Sequence, residues 1–167
     1  MNAEPRHQLY AVIRGFKTAL LVTHAADGGL SARPLAVADV PADGEILFAT
    51  SSASPKVAEI EADPRVLVAF QNGAQFVCVA GTARVSRDRA RLQELWSESW
   101  RIWYPAGVDD PCLCLLAVQP SAGEYWDHAG IKGLKYLWQG ASAHLSPRRS
   151  VLWRLTSYGN RGRMRGH

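Results

Sequence analysis

"TALLVTHAADGGLSARPLAV", residues 18–37, consists of two apolar-rich runs separated by Ala25-Ala26-Asp27-Gly28-Gly29. Each run has the length of a strand, and Asp-Gly is the chemistry of a chain reversal, so the stretch predicts an antiparallel hairpin. The same pattern recurs outward from it. "PADG" (41–44) leads into "EILFAT" (45–50), and "RVLVAFQ" (65–71) and "QFVCVAGTARV" (75–85) flank the turn "NGA" (72–74). "PCLCLLAVQP" (111–120) reads as a further strand.

Helices interrupt this series rather than alternate with it. Leu9, Val12, Ile13 and Phe16 recur at helical spacing, which predicts a helix over 4–14 that stops at Gly15. A short helix is expected over 57–62, ending before Asp63-Pro64. The longest is expected over 88–103, with Asp88 near its positive end, and a last one over 131–143. Strands joined by tight turns argue for an antiparallel barrel or sandwich and against βαβ units. Accordingly neither G-x-G-x-x-G nor G-x-x-x-x-G-K-[ST] occurs.

A chain of 167 residues suits one domain able to bury roughly two thirds of its unfolded surface. Its formal charge of +4 is unevenly placed. Residues 145–167 hold six arginines and no acid, which leaves thirteen basic and fifteen acidic residues before them, a net of −2. The expected organisation is a domain over 1–144 and a basic tail over 145–167. The tail is read as a solvated terminus, with a nucleic-acid arm as the weaker alternative. The opening "MNAEPRHQLY" lacks a secretory pattern and no run approaches the ~20 apolar residues of a membrane span, so the expectation is a cytoplasmic protein without a membrane partner. Cys78, Cys112 and Cys114 read as buried free thiols, and the five histidines lack ligand spacing, so no metal is expected.

Two places point to chemistry. In "FATSSASPK" (48–56) a strand gives way to Ser54-Pro55, a helix cap followed by the proline that helices accept at their first position. Thr50, Ser51, Ser52, Ser54 and Lys56 thereby gather hydroxyls, a cation and a helix N-terminus, the components of a phosphate site. The alternative is a capping serine with a solvated lysine. In "SARPLAV" (31–37), Pro34 cannot donate to a strand ladder and belongs at an edge or bulge, where a ligand can reach backbone. The alternative is a plain edge strand with Arg33 in water.

Together "FKTALLVT", "ARPLAV", "LFATSSASPKVAEIEADPRV", "QFVCVAGTARV", "LWSESWRIWYPAG", "EYWD" and "GLKYL" resemble the pyridoxamine 5′-phosphate oxidase-like superfamily, most closely its general stress protein 26 branch. The resemblance runs from about residue 6 to 143. It implies a mainly β fold with peripheral helices, a six- to seven-stranded antiparallel split β-barrel of Greek-key order. It also implies FMN, with FAD or a deazaflavin as alternatives, bound at a homodimer interface. Arg33, Pro34 and Leu35 fall on the strand beside the flavin ring, Thr50 and Lys56 at its phosphate, Gln75 at a ring-contacting strand start, and Trp126 at the ring from the partner subunit. The chain departs from the true oxidases in having Pro55 and Ala38 where they carry basic residues, and in lacking their terminal Arg-x-His pattern. The resemblance therefore implies a flavin-dependent oxidoreductase of unknown substrate and redox partner, or a flavin-sequestering stress protein, and not a pyridoxamine phosphate oxidase. No catalytic side chain is assigned. Trp96, Trp100 and Trp103 are read as one helix face engaged in packing.

Overall fold

The computed structural model describes residues 4–42, 44–73, 75–127 and 134–139. The tail 145–167 lies outside the described residues. After α1 (Glu4–Ile13) come β1 (Thr18–His24), β2 (Leu30–Asp39) and β3 (Ile46–Ser51). Then follow α2 (Pro55–Ala62), β4 (Arg65–Asn72), β5 (Gln75–Ser86), α3 (Arg89–Leu95), β6 (Leu113–Asp127) and β7 (Leu134–Gln139). All strand pairs are antiparallel, in the order β3-β2-β1-β4-β5-β6-β7, and β3 also pairs with β6. That last pairing closes six strands into a barrel, with β7 added outside the ring. β4 returns beside β1 after the β1-β2-β3 meander, which is the Greek-key order.

Side-chain alternation builds the core. Ala19 and Leu21 of β1, Val66, Val68 and Phe70 of β4, and Val77 and Val79 of β5 all point inward. They meet Ile46 and Phe48 of β3, while Leu9, Tyr10 and Ile13 of α1 and Phe16 close one side. Close approach is built in at Gly81, where the β5–β6 register shifts and a Cβ would run into the Gln119 carbonyl. The β1–β2 turn depends on Gly28, whose φ of 84° favours glycine.

Three expectations need correction. The segment 134–139, expected inside a last helix, is strand β7, because it pairs with residues 122–127 of a β6 longer than the apolar run at 111–120 suggests. The predicted helix over 88–103 is broken. It starts where expected, with Asp88 accepting from the Arg91 amide at 3.1 Å, but stops at Leu95, and Trp96 and Ser97 take extended backbone before a separate 3-10 turn, Glu98–Ile102. The three tryptophans therefore do not share one helix face. Of the thiols, Cys114 is buried and Cys78 half-buried, but Cys112 is exposed, because the strand begins only at Leu113.

Candidate active-site cleft

The barrel is split on one side. β2 pairs with β1 from Leu30 to Ala36, but with β3 only at Val37 and Asp39, across a bulge. Continued past Val37 and Phe48, that register would set Ala36 against Ala49, Leu35 against Thr50 and Pro34 against Ser51. Instead the ladder stops, and these six residues line a cleft of about 550 Å³. Pro34, which has no N–H to give, lies within the stretch of β2 past Val37 that β3 leaves unpaired, an edge position that its chemistry suits. The volume lies within the ~300–1,000 Å³ typical of small-molecule sites.

The floor of the cleft is the corner between β3 and α2. Ser54 is the N-cap residue and Pro55 opens the helix, but the Ser54 hydroxyl makes no capping bond. It accepts instead from Lys56 Nζ, which also donates to Thr50 Oγ1 at 3.0 Å. Thr50 is 3% exposed, so the lysine is drawn onto a buried hydroxyl rather than into water. Burial, and next the charge of Arg33, hold the Lys56 ammonium below its ordinary value of 10.5, which leaves it poised to gain from a nearby anion. Ser51 Oγ accepts from the Ala53 amide at 3.3 Å, and the Ser52 amide donates to the Cys112 carbonyl at 2.7 Å, pinning the corner to the start of β6. Behind it the Cys114 thiol donates to the Thr50 carbonyl at 3.5 Å, and burial pushes that thiol up. The arrangement favours an anchored cation over a simple cap with a solvated lysine.

The opposite wall is aromatic: Trp100, Trp103 and Tyr104 complete the cleft lining. Trp100 and Tyr104 belong to a second apolar cluster with Leu92, Leu113 and Leu115, and Trp96 meets Trp100 edge-on with ring centres 5.9 Å apart. Glu98 accepts from Arg101 Nε at 2.7 Å and from Trp96 Nε1 at 2.8 Å, which ties the broken helix together; the Arg101 bond first, and then that of Trp96, lowers the Glu98 carboxyl to about 2. Tyr104 is pushed up to about 12 by burial and stays a neutral phenol. Trp103 is 76% exposed at the rim. None of these three was read from the sequence as a site residue. The cue was the run "WRIWYP", dense in aromatics that a continuous helix could not all bury.

The remaining expected residues lie elsewhere. Pro34, Leu35, Thr50, Ser51, Ser54 and Lys56 come together in the cleft; Arg33, Ser52, Gln75 and Trp126 do not line it. Arg33 turns to α2, bonding Thr23 Oγ1, Ser31 Oγ and, at 2.8 Å, Glu59 Oε2. Gln75 and Trp126 sit at the far end of the β5–β6 ladder, where Gln75 Nε2 donates to Tyr125 Oη at 3.3 Å and Trp126 stands opposite Phe76.

A family model described as pyridoxamine 5′-phosphate oxidase like matches residues 4–149. The chain belongs to this family. Solved structures of the same fold include general stress protein 26 from Bacillus anthracis (21% identity over 71% of this chain and 91% of that one, TM-score 0.63). The general stress FMN/FAD binding protein of Xanthomonas citri aligns at 24% identity, 90% and 99% coverage and TM-score 0.62. An FMN-binding, pyridoxamine 5′-phosphate oxidase-related protein of Nostoc punctiforme aligns at 20% identity, 82% and 87% coverage and TM-score 0.58. No curated protein matches significantly. Among the described residues, no helix is long and apolar enough to cross a membrane, and no cluster of His, Cys, Asp or Glu could hold a metal.

Proposed function

We propose that this family member binds FMN in the cleft and acts as a flavin-dependent oxidoreductase. The observation that carries the reading is the meeting of Lys56 with Thr50 and Ser54 at the end of a cleft walled by an unpaired strand edge and by aromatics. This donor set fits a phosphate monoester on a planar, largely apolar group. The cation and hydroxyls suit the phosphate, the positive end of α2 reinforces them, the free backbone edge at Pro34–Ala36 suits polar ring atoms, and Trp100 suits a ring face. Relatives named as FMN-binding or FMN/FAD-binding support the choice.

Bound FMN supplies electron and hydride transfer, chemistry that side chains do not carry. The protein's part is then to hold the phosphate at Lys56, align the ring along β2 and exclude water with Trp100 and Tyr104. Among the described residues that line the cleft, Lys56 is the only cation. This, with Pro55 and Ala38 at positions that are basic in the oxidases, argues against pyridoxamine phosphate as substrate, since a second phosphate would need its own cationic pocket.

A homodimer completes the proposal. Leu20 and Leu67, 42% and 40% exposed, join half-buried Val22 and Ala69 on the outer face of β1 and β4, and exposed Ala32, Pro34 and Ala36 extend that face along β2 to the cleft. A second copy seated there would cover an apolar surface and close the open side of the cleft, with Trp126 of each protomer available to the other.

The test is to release and identify the coloured cofactor of the purified protein, weigh the particle by light scattering, and mix the loaded protein anaerobically with NADH, NADPH and pyridoxamine phosphate. FMN, twice the chain mass, and bleaching by a nicotinamide but not by pyridoxamine phosphate are expected. Tight FMN binding by a monomer would sink the shared site, and bleaching by none of the three would leave flavin sequestration as the function.

A further inference from the structure

Along the cleft, the β2 edge and the corner that forms the floor are not paired by backbone. The β2–β3 ladder ends at Val37, so the edge at Pro34–Ala36 and the corner that carries Lys56 each need something else to hold them at a fixed distance. One cluster spans them. Glu59, one helical turn after Lys56 on α2, accepts from Arg33 Nη2 at 2.8 Å and from the Thr23 hydroxyl at 2.5 Å. The Arg33 guanidinium in turn donates from Nη1 to Thr23 Oγ1 and from Nη2 to Ser31 Oγ. The three side chains thus close a ring of bonds among β1, β2 and α2. Thr23 is 1% exposed, and the Arg33 and Glu59 side chains are 20% and 15% exposed. Glu59 lines a separate groove on the other side of α2 with Ala58 and Ala62, so the ring lies behind the cleft.

We propose that Thr23, Arg33 and Glu59 are positioning residues, a clamp that fixes α2 against the β1–β2 hairpin and thereby sets the width of the cleft between Pro34–Ala36 and Lys56. This rests on the flavin reading only for its ligand, and it gives Arg33 a different role from contact with the flavin. A charge-assisted pair sheltered from water and closed by a buried hydroxyl is stronger than an exposed ion pair. Its removal leaves α2 held to the hairpin by the core packing of Val57 and Ile60, which is not directional.

The test combines two measurements on the full chain. In hydrogen exchange of the flavin-free protein, Arg33→Met and Glu59→Gln should each accelerate exchange in both 33–37 and 54–57, with the β4–β5 ladder unchanged. In titrations with FMN and with riboflavin, each variant should weaken both ligands by the same factor, about tenfold, which corresponds to ~1.4 kcal/mol. The double variant should be no worse than either single one, since the partners act as a unit. Thr23→Ser should retain wild-type behaviour and Thr23→Val should lose it, a pair that keeps the proposal decidable if a charge variant fails to fold. Three results would overturn it: exchange accelerating only beside the substituted residue, thermal stability falling while affinity holds, or Arg33→Met costing FMN alone while Glu59→Gln strengthens FMN, the behaviour of a direct phosphate ligand. If the wild-type protein binds neither flavin, the functional reading fails and the exchange measurement still decides the clamp.

Discussion

The corner at Thr50–Lys56 and the aromatic wall at Trp96–Tyr104 face each other across one cleft but are built in different ways. In the corner, the contacts made by its polar side chains lie within six residues: Lys56 reaches Ser54 and Thr50, and Ser51 holds Ala53, while only backbone groups of Thr50 and Ser52 reach out to Cys114 and Cys112. In the wall, the same ring type serves two purposes three residues apart, Trp100 packed on Trp96 and the Leu92–Tyr104 cluster, Trp103 standing at the rim 76% exposed. Local chemistry shapes the first and long-range packing the second, so substitutions should separate binding from stability differently on the two sides.

The largest effect is expected in the wall. Trp100→Ala removes a half-buried ring from the second cluster and should cost about 2–3 kcal/mol in urea unfolding, below the ~3–5 kcal/mol of a fully buried ring. Trp103→Ala should stay within about 0.5 kcal/mol. Equal losses would mean that both rings are packing residues and that the wall has no free face to offer a ligand.

In the corner the order reverses, with binding affected more than folding. Lys56→Ala should weaken FMN by about 1.5–3 kcal/mol, the range of a sheltered charge-assisted contact, and leave riboflavin, which has no phosphate, nearly unchanged. Calorimetric titration with both ligands measures the difference directly, and a parallel loss would remove Lys56 from the phosphate.

A pH series sharpens this further. Burial and Arg33 lower Lys56 below 10.5 in the free protein, so the ammonium proposed to hold the phosphate is lost as pH rises through that lowered value. FMN affinity should therefore fall on the alkaline side at a pH below 10.5 while riboflavin affinity stays level, and Lys56→Met should abolish the fall. A fall shared by riboflavin would assign the titration to another group.

The smallest effect concerns the tie between α2 and the β1–β2 hairpin. The hydrogen bond from Thr23, and next the bond and charge of Arg33, hold the Glu59 carboxyl below its ordinary 4.5. Its folded value is depressed, so the stability it contributes is present above about pH 4.5 and is lost as pH falls through the lowered value. Thermal melts between pH 6 and 3 should show a shallower acid loss in Glu59→Gln than in the wild type. Superimposable acid limbs would show that Glu59 does not couple to folding.

Much of this was legible from residues alone where interactions are local. The Asp-Gly turns and the period-2 runs were sufficient for β1 to β5, and Ser54-Pro55 for the start of α2, because each depends on neighbours a few positions away. Pro34 announced an unpaired edge, since its missing N–H is a property of the residue itself. The helix expected over 88–103 and the strand β7 failed for the opposite reason: a tryptophan that seeks a distant cluster can end a helix, and 134–139 is a strand because β6 is there to pair with it. Arg33 could be placed on β2, but its partners lie on β1 and α2, and only folding brings Thr23 and Glu59 to it. The sequence by itself determined an antiparallel β class, barrel or sandwich, and the composition of the β3–α2 corner, both set by backbone propensity and short-range bonds. The tertiary structure alone decided where the β2–β3 ladder stops, which aromatics face the opening, and that Arg33 is held by Glu59, because each of these depends on contacts between segments far apart along the chain.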